Sequence, residues 1–142
     1  MLITQKDQYA LRAIFELAKR NSQGPVKISE IAKAQEIPIR FLEVIMSQLK
    51  KSGYVVSKRG YYGGYKLTVA SDEITVGDVL RFMQKSRDMH HCVPCISKNN
   101  CPFDRRCAFL PLWNRVQKAI SDVYDNTTFQ QLIENEKKVK FV

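Results

Sequence analysis

The sequence predicts a mainly α chain with one small β-hairpin, an α+β arrangement that ends in a long helix. Three observations point there. Apolar residues recur at helical spacing through residues 5–20, 39–52 and 108–124. A glycine- and tyrosine-bearing stretch, Tyr54 to Val69, instead reads as two short strands around a turn. At 142 residues and 44% hydrophobic content, the chain can bury one ordinary core with a small appendage.

Thr4 followed by Asp7 forms a capping pair for a first helix running to about Arg20, with Tyr9, Ala10, Ala13, Ile14, Leu17 and Ala18 as its apolar stripe. Asn21 to Pro25 ends it, and Val26-Lys27-Ile28 reads as a short strand. Ser29 is placed to cap a short helix, Glu30 to Gln35, and Glu36-Ile37-Pro38 turns the chain. The next helix, about Ile39 to Ser52, buries Leu42, Ile45, Met46 and Leu49 and leaves Arg40, Glu43, Gln48, Lys50 and Lys51 largely free, with Gly53 as its stop. Two helices across a short turn form a helix-turn-helix. The hairpin follows, with Lys58 and Arg59 at a tip that contains Gly60, Gly63 and Gly64. Together these elements make a winged helix-turn-helix. Arg59 is placed for a minor groove, and Tyr61 and Tyr62 either pack on sugars or shield the hairpin.

After the polar break Ser71-Asp72-Glu73, Thr75 caps a helix through Val79, Leu80, Phe82 and Met83. The long helix, about Ala108 to Tyr124, carries Leu112, Val116, Ile120, Val123 and Tyr124 on one face and tolerates Pro111 in its first turn. That face exceeds local needs, and the economical partner is the same helix of a second chain. Thr127 or Thr128 caps a last short helix containing Phe129, Leu132 and Ile133, and Glu134 to Lys140 follows as a charged tail.

The formal charge is +9, and its distribution is uneven. Residues 1–70 hold 12 Lys and Arg against 5 Asp and Glu, whereas residues 71–142 hold 11 against 9. The cationic excess therefore lies in the half that carries the helix-turn-helix and wing, which favours a polyanionic partner. No run of about 18 apolar residues and no export signal is present, so the expected location is the cytoplasm, with no membrane partner.

All four cysteines lie between residues 92 and 107, as Cys92, Cys95, Cys101 and Cys107, spaced C-x2-C-x5-C-x5-C. Free cysteine otherwise scatters through cores, so four in one polar loop read as soft-metal ligands. Four thiolates suit a 2Fe-2S cluster, a 4Fe-4S cluster or tetrahedral zinc. Zinc favours two close pairs, and this loop has one. His90 and His91 beside it read as exposed imidazoles in preference to ligands. An enzyme or electron carrier is the competing class. The chain offers no phosphate-cradling loop and no Ser/His/Asp set, and a lone redox centre leaves the wing unexplained.

Thr4-x4-Tyr9-Ala10-Leu11-Arg12, Phe41-Leu42-Glu43, Leu49-Lys50-Lys51-x-Gly53 and above all Arg59-Gly60-x2-Gly63-Gly64-Tyr65 resemble the IscR/NsrR/CymR family of bacterial winged-helix transcription regulators. The likeness extends through Thr75-Val76-Gly77-Asp78-Val79, the cysteine loop and Leu112-Trp113. It implies a homodimer on a palindromic double-stranded operator and, in the iron-sulfur members, a cluster on three loop cysteines, matching Cys95, Cys101 and Cys107 here. The histidine ligand of IscR-like proteins falls on Leu110, and the partner-chain acid of NsrR-like proteins falls on Gln8, beside Asp7. Cys92 is the simplest replacement, with His90, His91 and the partner chain's Asp7 as alternatives. Relatives often carry a small polar residue at Arg40 and a polar one at Val44, which points to a different operator.

The expected organisation is a DNA-binding domain over 1–84, a cluster loop over 85–108, and a dimerisation helix with a tail over 109–142. The expected function is a regulator whose operator affinity is set by an iron-sulfur cluster. Structural zinc or a thiol switch on the same winged helix is the alternative. Expected DNA contacts are Arg40, Glu43, Gln48, Lys50, Lys51, Lys58 and Arg59, with Arg40 donating to guanine, Glu43 discriminating bases, and Gln48, Lys50 and Lys51 positioning the backbone.

Overall fold

The structure is a computed structural model that describes residues 3–85, 102–103 and 106–139. Its elements are α1 (Gln5–Lys19), α2 (Ile28–Gln35), α3 (Ile39–Lys50), β1 (Val55–Lys58), β2 (Gly64–Leu67), α4 (Val76–Met83), α5 (Leu110–Asp125) and α6 (Phe129–Val139). The winged helix-turn-helix expected from the sequence is present.

α1 is the hub, because α2, α3, α4, α6 and β2 all pack against it. Its stripe of Ala10, Ala13, Ile14 and Leu17 is fully buried, and the alanines let the other helices approach closely. The helix starts where the sequence placed it. Asp7 N–H donates to Thr4 Oγ1 and Thr4 N–H donates to Asp7 Oδ2, a reciprocal cap that satisfies two donors at once. The same chemistry starts α4, where Thr75 and Asp78 exchange both bonds. Desolvation alone would raise the Asp78 pKa, but bonds from Thr75 and Arg81 outweigh it and hold the carboxyl below its ordinary value.

Three expectations are corrected. Val26 makes only an isolated bridge to Tyr65, with two 2.8 Å bonds, and no strand forms over 26–28. The reason is that α2 starts at Ile28: the Glu30 carboxylate accepts from Lys27 N–H at 3.0 Å, so Lys27 is the cap and Ser29 falls inside the first turn. The charged stretch from Glu134 is likewise helical through Val139. Lys19 on α1 holds Glu136 at 3.2 Å, which gives the charged end of α6 a reason to stay on the domain.

The hairpin is antiparallel, pairing Val55 with Leu67 and Lys58 with Gly64. Val55 and Leu67 bury the end nearest the core, and the tip projects outward. α6 is tied back through Phe129 N–H to Ile74 O, Val76 N–H to Thr127 O, and Ser71 Oγ to Gln130 Oε1. The cap is Thr128, which exchanges bonds with Gln131. α5 buries no residue; Leu112 is 45% and Val123 64% exposed.

Glu16 is a charged side chain inside the α1 packing, 3% exposed. It accepts from Arg20 Nε at 2.6 Å and Gln35 Nε2 at 2.7 Å, with Lys19 Nζ at 3.3 Å. Burial alone would raise its pKa, but these donors together prevail and lower it. A carboxyl depressed in the folded state contributes stability above its unfolded pKa and loses it as pH falls through the folded value. Glu16→Gln is therefore expected to cost about 1–3 kcal/mol near neutral pH. The gap to the parent should shrink once acid protonates Glu16, as urea unfolding across pH would read.

Candidate nucleic-acid interface and cysteine segment

The turn that presents α3 is tight. Glu36 takes a left-handed φ of 51°, Ile37 is buried and donates its N–H to Ala32 O at 3.0 Å, and Pro38 caps α3. α3 then sinks Leu42, Ile45, Met46 and Leu49 into the core. The opposite face carries Arg40, Glu43, Val44, Ser47, Lys50 and Lys51, all exposed, while Gln48 at its edge is half-buried. Phe41 is 64% and Val44 56% exposed, so this face mixes charge with bare apolar surface.

The wing adds Lys58 and Arg59, both exposed. Gly60 has φ 107°, and its carbonyl accepts from Gly63 N–H at 3.0 Å, which closes the tip. Tyr61 and Tyr62 stand 80% and 82% exposed in an edge-to-face pair 5.0 Å apart. Lys27 Nζ lies 5.0 Å above the Tyr61 ring. Sequence reading missed this link, because it joins the cap of α2 to a tip distant in the chain. Among the described residues, Arg40, Lys50, Lys51, Lys58 and Arg59 enter no ion pair, so their charge is available to an external anion.

Of the expected cysteine ligands only Cys107 is described: it is a free thiol, half-buried, two residues before Phe109. Its carbonyl accepts from Leu110 N–H at 3.2 Å, which ties it to the start of α5. Cys92, Cys95, Cys101, His90 and His91 lie outside the described residues. Leu110 is the first residue of α5, and Phe109 stacks on Trp113 at 6.0 Å. Asp7 is fully buried in its own chain, where Oδ2 accepts from Thr4 N–H and from Gln84 Nε2 at 3.1 Å. Gln8 beside it is exposed.

The segment before the cysteines and the helix after them are clasped. Arg81 on α4 bonds Asp125 at the end of α5 as well as Asp78, at 2.8 Å. Gly77 makes room, because a Cβ there would collide with the Asp125 carboxylate. The Asp125 bond, ahead of desolvation, which opposes it, dominates the raised Arg81 pKa.

A helix-turn-helix whose second helix exposes unpaired cations, followed by a basic hairpin, defines a winged-helix DNA-binding transcription regulator. The Rrf2 family profile, described as an iron-dependent transcriptional regulator, matches residues 3–135. The chain is 36% identical over 136 residues to the HTH-type transcriptional regulator IscR of Erwinia tasmaniensis, covering 96% of this chain and 81% of that one. Among solved structures, T. potens IscR superposes with a TM-score of 0.78 at 28% identity, covering 98% of this chain and 90% of that one. CymR, the global cysteine regulator of B. subtilis, gives 0.74 at 32% identity, over 95% and 98%. This chain belongs to the Rrf2 family of transcription regulators. Among the described residues no helix is long and apolar enough to cross a membrane.

Proposed function

We propose that two copies of this chain bind a palindromic operator in the cytoplasm, and that operator affinity depends on an iron-sulfur cluster held by Cys92, Cys95, Cys101 and Cys107. The observation that carries the DNA reading is the unpaired cationic face formed by α3 and the wing tip. On this reading α3 enters the major groove, Arg40 donates to guanine, Glu43 accepts from a base amino group, and Gln48, Lys50 and Lys51 hold phosphates. Lys58 and Arg59 lie along the adjacent minor groove.

The apolar side of α5 supports a homodimer. It carries Leu112, Val116, Ile120 and Val123, and none of these is buried within the chain. Residues 1–84 are then the reading domain, 85–108 the cluster segment, and 109–142 a dimer helix followed by α6, which returns to α1. The donor set fits the group: four thiols suit a soft metal centre, and Cys107 is free and fastened to the first turn of α5. When bound, the cluster supplies redox-sensitive iron-thiolate bonds. The chain's own part is mechanical. The cysteines fall between α4 and α5 in the chain, and α4 is bonded both to the end of α5, through Arg81 and Asp125, and to α1, through Gln84 and Asp7, so a change in cluster occupancy would reach both helices.

Arg59→Ala tests the DNA reading. Operator affinity should fall by about 1–3 kcal/mol, and the salt dependence should lose about one unit of slope, in binding titrations at several salt concentrations. Undiminished affinity with an unchanged slope would leave Arg59 a surface cation. Cys92→Ala tests the ligand set. A chain retaining a cluster of unchanged spectrum and stability would remove Cys92 from it.

A further inference from the structure

The outward face of α3 is not uniformly polar, and its apolar part, Phe41 and Val44, lies outside the core cluster. Val44 is 56% and Phe41 64% exposed, while the core-facing residues of the same helix are essentially enclosed. Val44 lies one turn after Arg40 and three residues after Phe41, so the three share one edge of the exposed face. A β-branched residue is a poor choice for an exposed helix position, since it loses side-chain freedom and gains no packing. A surface meant only for phosphates would carry donors there.

Flanking charge says what covers it. Arg40 and, two turns after Val44, Lys51 share this edge, with Lys50 and the acidic Glu43 further round the exposed face, and the three cations have no ion pairs among the described residues. An apolar strip set in a cationic face matches a partner that is anionic at its margins and apolar at one point within. In the major groove the C5-methyl of thymine is the one apolar group on a base edge.

We infer that Val44, with Phe41 beside it, reads a thymine methyl in each operator half-site, next to the base addressed by Arg40. This rests on the DNA-binding reading above and names the base class that the site selects. Val44 is thus a specificity-determining residue that makes no hydrogen bond.

The probe is a duplex selected by this protein from a randomised pool, together with copies in which single thymines are replaced by deoxyuridine. That change removes the methyl and keeps every pairing and groove hydrogen bond. Wild-type protein should lose affinity about fourfold per methyl at one or two symmetric positions and nowhere else in the half-site. Val44→Ala should bind parent and deoxyuridine duplexes alike at those positions, and Val44→Thr, which keeps one methyl and the branched shape, should retain part of the preference. Circular dichroism and melting of both variants would verify that the fold is intact. Wild-type binding indifferent to every such replacement would overturn the inference and leave DNA binding standing, as would discrimination that persists in both Val44→Ala and Phe41→Ala. Failure to enrich any duplex would overturn the DNA-binding reading itself, and this inference with it.

Discussion

Gly64→Ala is expected to destabilise the protein by about 3 kcal/mol or more and to detach the wing from the domain. Gly64 has φ 148°, where an alanine is strained, and an added Cβ would overlap the backbone N, C and O of Val26. Those atoms have nowhere to go. Val26 is held by reciprocal bonds to Tyr65, Val26 N–H to Tyr65 O and Tyr65 N–H to Val26 O, both 2.8 Å. Relief of the overlap therefore breaks the bridge that orients the hairpin, and operator affinity should fall along with stability. Gly24→Ala is the control: its φ of 87° carries conformational strain, but a Cβ there meets nothing within 4 Å, so a cost of only about 1–2 kcal/mol is expected. Urea unfolding of the two variants would compare them. A Gly64→Ala chain no less stable than the Gly24→Ala chain would contradict the account of the wing.

Phe129→Ala should cost about 3–5 kcal/mol, a large share of the 5–15 kcal/mol typical of a domain. Phe129 is 0% exposed and sits in the common core with the α1 stripe, although it opens the last helix. Removing the ring would leave a cavity and loosen the attachment of α6, whose other ties include backbone bonds to Ser71 and Ile74, the Ser71 hydroxyl bond to Gln130, the packing of Leu132 and Ile133, and the Lys19 contact with Glu136. Because α6 follows α5 directly, α5 would also lose its rear anchor. Thermal and urea unfolding would measure the effect. A loss below about 1 kcal/mol would mean that α6 only rests on the domain.

Features whose physics is local could be read from the chain. The Thr4/Asp7 cap and the Thr75 cap each act across three residues, and both appear as expected, Thr75 with Asp78 as its partner. The buried face of α3 follows from helical periodicity, and its exposed cations follow by subtraction. What escaped depends on partners remote in sequence. Val26 reads as a strand by composition, yet its conformation is set by a close approach from Gly64 and by the Lys27 and Glu30 cap. Glu134 to Lys140 reads as a solvated tail because no local pattern reveals Lys19 waiting on α1 for Glu136. The same holds at the site. Lys27 over Tyr61 and Gln84 on Asp7 are tertiary pairings, and neither residue carries a signature for its role. The cysteine spacing suggests a donor set from the sequence alone, and Cys92, Cys95 and Cys101 lie outside the described residues.

The most direct test is to purify the protein anaerobically, record its absorbance spectrum with iron, sulfide and zinc contents, and titrate operator on the same sample before and after air or nitric oxide. A coloured, iron- and sulfide-bearing protein whose operator affinity changes by about 5- to 150-fold when the colour is lost is the predicted result. A colourless protein carrying zinc or no metal, with operator affinity unmoved by either treatment, would contradict it.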